Sequence, residues 1–222
     1  MKRWFAVKSP LKSNHLTLLF SLLFLASSLF LALFRNSFAI VDADVNFWAA
    51  SIQTDAFTGV ANGISIAFDT TALLVFSLVV AAVLFAKHYR RDSVLLLGAM
   101  AGDAVIVAVF KTVIMSPRPL NALIPETGYS FPSGHVTGSV VFFGVLTYFV
   151  WKHWAAVKVK MTTGGLYVAI TALVGFDRVY LNVHWFSDVV GGCLIGVFWL
   201  AFSIWIFPYL MSNPRFQKIT RF

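Results

Sequence analysis

The chain has 222 residues, of which 59% are hydrophobic and 12% charged, with 17 Lys and Arg against 9 Asp and Glu for a formal charge of +8. Soluble domains carry roughly 25% charged residues, so a mean hydropathy of +0.82 excludes hiding every apolar side chain in one soluble core of this size, and a bilayer is the solvent that remains. One cysteine, Cys193, excludes an internal disulfide framework and a cysteine-rich metal site; inside the apolar run 191–200 it is a packing residue.

Six apolar runs follow one another. Residues 16–34 are 19 positions without a charge, enough at about 1.5 Å per residue to cross the hydrocarbon layer. Lys2, Arg3, Lys8 and Lys12 precede this run as in a signal peptide. A cleavable core is usually shorter, and no small-x-small site follows, so the run is predicted to stay as a span. Between it and the next run, Val45, Trp48, Ala49 and Ile52 follow Asp42, a candidate N-cap, at helix-compatible spacing. They suggest either a short helix on the membrane interface anchored by Trp48 or an ordered loop capping the bundle. Residues 70–86 form a 17-residue run; 93–110 is apolar apart from Asp103; 136–151 and 161–176 have 16 residues each; 189–211 has 23. The short runs abut His135 and Asp177–Arg178, so their helices extend beyond the uncharged cores if those ends sit in a solvated pocket. Asp103, mid-span, is expected to face the bundle and make a structural hydrogen bond, because a membrane-buried carboxylate costs about 3 kcal/mol on insertion scales.

The predicted fold is all-α: a polytopic membrane protein with six transmembrane helices in one bundle. One domain fills residues 1–222, with its core at about 16–211 and spans at about 16–36, 68–86, 93–113, 135–151, 161–177 and 187–210. Alternating the connections places Lys2, Arg3, Lys8 and Lys12, then Lys87, Arg90 and Arg91, then Lys152, Lys158 and Lys160, then Arg215, Lys218 and Arg221 on one side. The positive-inside rule makes that side, with both termini, cytoplasmic. This distribution accounts for the basic charge as topology, and no nucleic-acid partner is expected. Arg35, Lys111, Arg118 and Arg178 remain on the outer side, with seven of the nine acidic residues.

Three outer clusters hold the unusual polar residues: Lys111 through Arg118-Pro119, Pro132-Ser133-Gly134-His135, and Asp177-Arg178 through His184 to Asp188. Apart from Asp177, nothing close in sequence neutralises Lys111, Arg118 and Arg178, so an anionic ligand is the simplest reason to cluster them. Arginine suits bidentate recognition of phosphate oxygens, and lysine adds a mobile point charge. Pro132-Ser133-Gly134 has the character of a helix start, where free N–H groups and the dipole favour an anion. His184 and Asp188, four apart, share a helical face if the last span begins near His184. Asp188 then accepts from Nδ1 and leaves Nε2 free to attack phosphorus. His135, on another segment, is the candidate general acid and later base. His15, His88 and His153 fall on the cytoplasmic side and are structural candidates.

These spacings resemble the type 2 phosphatidic acid phosphatase superfamily, whose signature is Lys, six residues and Arg-Pro; Pro-Ser-Gly-His; and Ser-Arg, five residues, His, three residues and Asp. The matching positions are Lys111 and Arg118-Pro119; Pro132-Ser133-Gly134-His135; and Arg178, His184 and Asp188. The resemblance implies His184 as nucleophile, Asp188 as its orienting partner and His135 as acid/base. It implies phosphoryl binding by Lys111, Arg118, Ser133, Gly134 and Arg178, with no metal and no cofactor. The implied activity is hydrolysis, through a phosphohistidine, of a membrane lipid phosphate or diphosphate (phosphatidic acid, phosphatidylglycerophosphate or undecaprenyl-diphosphate type) at the outer interface of the cell membrane. The alternatives are a phosphotransferase acting on another lipid or sugar, and a non-catalytic lipid-phosphate binder or transporter. The related vanadium haloperoxidases are soluble, which six spans argue against. The oligomeric state is left open.

One position departs from the pattern: Asp177 stands where the family has serine. A carboxylate some 5 Å from a phosphate charge costs about 3 kcal/mol per charge pair at an effective dielectric near 20. Asp177 must therefore point away, pair with Arg178 or Lys111, or be protonated.

Overall fold

A computed structural model describes residues 15–154 and 156–213. Lys2, Arg3, Lys8, Lys12, Arg215, Lys218 and Arg221, seven of the thirteen cations expected on the cytoplasmic side, lie outside the described residues. The described residues are all-helical: α1 (His15–Leu33), a 3-10 turn (Arg35–Phe38), α2 (Ala39–Ser51), α3 (Asp55–Ala67), α4 (Thr70–Ala86), α5 (Arg90–Ile114), α6 (Gly134–His153), α7 (Val157–Tyr180) and α8 (Phe186–Ser212). By length and composition α1, α5, α6, α7 and α8 can each cross a membrane, and α3 with α4 makes a sixth candidate bent by 49°. The two short runs do extend past His135 and Asp177–Arg178, and by as much at their other ends, to the 20 residues of α6 and the 24 of α7.

The buried core is apolar, with Leu95, Leu96, Met100, Val141, Phe142 and Val145 at its centre, but the inward faces of α1 and α4 carry small residues. α1 turns Leu19, Phe20, Leu23 and Phe30 outward and buries Ser21, Ser28, Leu31 and Ala32. α4 likewise buries Leu73, Ser77 and Ala81 at four-residue intervals. Small residues let helix backbones approach where lipid supplies no hydrophobic drive for large ones to be inside. Their hydroxyls are satisfied within the helix: Ser21 donates to the Leu18 carbonyl, Ser28 to Leu25 and Ser77 to Leu73.

α6 is the central helix, packed on α4, α5, α7 and α8. On α8, a Cβ at Gly196 would stand 2.8 Å from Val140 of α6, one at Gly191 2.3 Å from the Phe131 ring and one at Gly192 3.0 Å from the Ser133 carbonyl. These glycines let α6 and the segment before it lie against the first turns of α8. Replacing Gly191 by alanine is expected to destabilise the fold by ~1–3 kcal/mol through overpacking; the midpoint of thermal unfolding in detergent reads this out.

Three elements end on chemical signals. α5 stops at Met115, in the left-handed region (φ 50°), before Ser116-Pro117-Arg118-Pro119 removes two backbone donors. Asp69 caps α4 by accepting from the Thr71 N–H at 2.7 Å. At the far end of the bundle, buried Asp92 at the start of α5 takes Lys152 Nζ at 2.6 Å and His153 Nε2 at 2.7 Å from the end of α6. His153 thus belongs to a structural cluster with Asp92 and Lys152.

Two local expectations need correction. Asp42 is not an N-cap: α2 starts at Ala39, and the buried Asp42 carboxylate accepts from the Ser187 N–H and hydroxyl, both at 2.7 Å. The buried face of α2 is Asp42, Asn46 and Ala49, not an apolar stripe, while Trp48 is exposed. The helix covers polar loops behind the site, so its polar side turns inward. Asp103 does face inward, against Gly138. Its Oδ1, however, has no hydrogen-bond partner, so the anticipated bond is not seen at that oxygen.

Candidate active site

The three clusters, spread over 78 positions from Lys111 to Asp188 in sequence, meet at one end of the bundle. The end of α5 supplies Lys111, the loop after it Arg118, the start of α6 Ser133, Gly134 and His135, the end of α7 Arg178, the α7–α8 turn His184, and the first turn of α8 Asp188. The segments are tied by backbone as well: the Ser133 N–H donates to the Asp188 carbonyl at 3.1 Å, and the Ser130 N–H to Ser116 at 2.8 Å.

His184 sits before α8 rather than on it, since the helix opens at Phe186 with Trp185 as N-cap. It still meets Asp188, with Nδ1 at 3.3 Å from Oδ2. The same oxygen accepts from the Trp185 N–H at 2.9 Å and from the Ser130 hydroxyl. A carboxylate on Nδ1 selects the tautomer with its proton there and the lone pair on Nε2. That nitrogen lies 3.3 Å from Arg118 Nη1. The turn is held from behind: Asn46 of α2 donates to Asn182 Oδ1 at 2.5 Å and to the His184 carbonyl at 3.3 Å, and Asn182 takes the left-handed backbone (φ 56°) that asparagine tolerates.

Burial pushes the His184 imidazole down to about 4 from 6.5, against the pull of the Asp188 hydrogen bond and charge; Arg118 and Lys111 lower it further. The ring is therefore neutral at pH 7, with an unprotonated Nε2 whose lone pair faces the Arg118 guanidinium. Arg178, Ser133 and Asp188 are fully buried and His184 is 1% exposed, so charges here act in a poorly screened medium.

Arg118 is braced through the Val183 carbonyl (2.8 Å), Gly128 (3.1 Å) and Thr127 (3.1 Å). Lys111 donates to the Tyr129 carbonyl. The Arg178 Nη1 lies 3.2 Å from His135 Nε2, and Asp69 Oδ2 is 3.8 Å from the same nitrogen. The Ser133 hydroxyl is buried without a partner, so it neither caps α6 nor bonds elsewhere and is free for a ligand.

Asp177 pairs with Arg178, whose Nε donates to Oδ2 at 3.0 Å and whose Nη2 donates to the same oxygen. It thereby fixes the guanidinium edge that leaves Nη1 facing His135. The Asp177→Ser variant is expected to keep or raise kcat/KM for phosphate release, because it withdraws a negative charge from an anion site; a complete loss would give Asp177 a required role.

Beyond Asp177, no residue close in sequence neutralises Arg118 and Arg178, and the fold supplies one from a loop. Glu126 stands 3.4 Å from Arg118 Nη2 and 3.3 Å from Arg178 Nη1. It was hidden because it follows Arg118 by eight residues in a loop that only tertiary contacts fold back. Arg35, Ser130 and Asn46 were missed for the same reason: nothing in their local sequence points at His184 or Asp188. Among the described residues no group of three or more His, Cys, Asp or Glu side chains is arranged to hold a metal ion.

The profile of the PAP2 superfamily matches residues 92–212. Phosphatidylglycerophosphatase B of Bacillus subtilis (strain 168) is 31% identical over 193 residues, covering 86% of this chain and 91% of that protein. An undecaprenyl-diphosphatase of Sulfolobus acidocaldarius is 33% identical over 135 residues, 56% of this chain and 59% of that protein. The crystal structure of a transmembrane PAP2 type phosphatidylglycerolphosphate phosphatase from Bacillus subtilis superposes with a TM-score of 0.78 at 28% identity, over 88% of this chain and 98% of that one. With a profile match over more than half its length and a relative aligned along nearly all of it, this multi-pass membrane chain belongs to the PAP2 superfamily of phosphatases.

Proposed function

We propose that the protein hydrolyses a lipid phosphate or lipid diphosphate, without a metal, through a phosphohistidine at the outer face of the membrane. Phosphatidic acid, phosphatidylglycerophosphate and undecaprenyl diphosphate are the candidate substrates, two of them the kinds named for the relatives. The observation that carries the proposal is the neutral, buried His184, with Asp188 on Nδ1 and Arg118 facing Nε2.

In the first step Nε2 of His184 attacks phosphorus, and a P–N bond forms as the bond to the leaving oxygen breaks. His135, across the site and 3.2 Å from Arg178, enters this step holding a proton that the bound phosphoryl charge favours, and delivers it to that oxygen. In the second step His135 takes a proton from water, whose oxygen attacks phosphorus and frees His184. Lys111, Arg118, Arg178, the Ser133 hydroxyl and the N–H groups at the start of α6, beginning at Gly134, hold the phosphoryl oxygens as charge develops.

The proposed topology is six spans, counting α3–α4 as one, with residues 1–222 as a single membrane domain. Both termini face the cytoplasm and the site faces outward, because Lys87, Arg90, Arg91, Lys152, Lys158 and Lys160 cluster at the helix ends away from it. There an amphipathic substrate presents its head group while its tails stay in lipid.

Purified protein incubated with lipid monophosphates and diphosphates in EDTA tests the proposal. Free phosphate released with no acceptor present supports a hydrolase; transfer only to an added lipid or sugar would make it a phosphotransferase. Glu126 occupies the two guanidinium edges that phosphoryl oxygens would take, so Glu126→Gln is expected to lower KM several-fold. An unchanged KM would mean that Glu126 does not compete with substrate.

A further inference from the structure

None of the motif cations Lys111, Arg118 and Arg178 is in salt-bridge contact with Asp188. That aspartate is fully buried, and its histidine partner is neutral at pH 7, so the pair carries a net negative charge in a dry place. Neutral donors, Ser130 and the Trp185 N–H, share Oδ2 with His184 Nδ1. A buried carboxylate without a cation is costly to keep ionised.

The cation is Arg35. Its Nη1 stands 2.7 Å from Asp188 Oδ1, the oxygen with no hydrogen-bond partner. The contact is close but not aligned as a hydrogen bond, so it acts through charge. The Arg35 side chain is 16% exposed, and its guanidinium lies 5.5 Å from the centre of the Phe131 ring. Phe131 is fully buried and packs against Gly191. Arg35 therefore reaches the site on a prepared surface, from the 3-10 turn that ends α1, a part of the chain outside residues 92–212.

We propose that Arg35 is a positioning residue for the His184–Asp188 pair: it balances the buried Asp188 carboxylate from behind, keeping it ionised on Nδ1 while His184 stays unprotonated. This rests on the nucleophile assignment proposed above. The charged and titratable groups that face the pair are Arg35 from the 3-10 turn, Lys111 from α5, Arg118 from the following loop and His135 from α6, with Asp42 of α2 bonded to the neighbouring Ser187. Arg35 is the cation in contact with the carboxylate; Lys111 and Arg118 act across the imidazole. An arginine just past a helix C-terminus also suits the helix dipole. That role would tolerate any cation and would not change proton binding at His184.

The direction of the effect is determined. Without the positive charge the pair binds a proton more readily, whether on Asp188 or on His184, so the active form is lost at a higher pH as the solution is acidified. The experiment compares wild type, Arg35→Gln, Arg35→Lys and His184→Ala in detergent micelles. It uses nitrogen NMR of the histidine rings, with the His184 signal assigned by its absence in the last variant, and pH profiles of phosphate release from a lipid phosphate. Arg35→Gln is expected to raise proton affinity at the pair about tenfold, to move the acid limb of kcat/KM upward with it, and to lower kcat at neutral pH with KM little changed. Arg35→Lys is expected to restore most of both. An unshifted titration in a folded Arg35→Gln protein overturns the proposal, as does a kcat loss in both variants with the wild-type titration. The ring titration needs no turnover, so it decides the role of Arg35 even if phosphate release shows the nucleophile assignment to be wrong; a His184→Ala protein that stays active refutes that assignment alone.

Discussion

His184→Ala is expected to lower kcat/KM for lipid phosphate hydrolysis by roughly 10⁴-fold or more, because removing a nucleophile removes the covalent route altogether. Labelled substrate stopped in base during turnover should leave phosphate on the wild-type protein, released on acidification as a phosphoramidate is, and none on the variant. An active His184→Ala protein would refute the mechanism. The acid dependence follows from the same residue. Protonation of Nε2 takes away the attacking lone pair, and burial holds the ring at about 4 rather than 6.5. The acid limb set by His184 should therefore lie well below pH 6. Stability moves the same way. The unfolded chain takes the proton near 6.5 and the folded one near 4, so this contribution is fully present above pH 6.5 and is lost as pH falls toward 4. Chemical denaturation at pH 7 and pH 5 measures it.

Replacing His135 by glutamine should separate two chemical steps. With an alkyl or glyceryl lipid leaving group, kcat is expected to fall by roughly 10²–10⁴, the usual range for a lost general acid. With p-nitrophenyl phosphate the leaving group departs without a proton, so phosphorylation of His184 continues while water attack is slow. The expected trace is a burst of p-nitrophenolate equal to the enzyme present, followed by slow turnover. Equal loss on both substrates with no burst would mean that His135 mainly holds phosphate. Glutamine is the chosen replacement because His135 is buried beside Arg178 and Asp69, and a smaller apolar residue would leave those charges facing a void.

Much of this site was legible from residue order. The spacing of Lys111, Arg118, Ser133, Gly134, His135, Arg178, His184 and Asp188 marked the positions that the folded chain brings together. The Asp177 alternatives included the pairing with Arg178 that occurs. The six apolar runs located the long helices to within a few residues, because length and hydropathy are what a bilayer selects. The misses have a common cause. The inward face of α2 is polar because it packs on the His184 turn, and Glu126 faces two arginines because its loop folds back. Neither packing partner is near in sequence.

The order of residues by itself determined membrane residence, the helical class and the motif set, since each depends on local composition or fixed spacing along one helix or turn. Tertiary structure alone decided the charge balance of the site. Which carboxylate meets which cation depends on helix ends and loops converging from α1, α5, α6, α7 and α8. Over the few ångströms that separate Arg35 from Asp188 and Glu126 from Arg178, distance in space governs the Coulomb interaction, and distance in sequence carries no information about it.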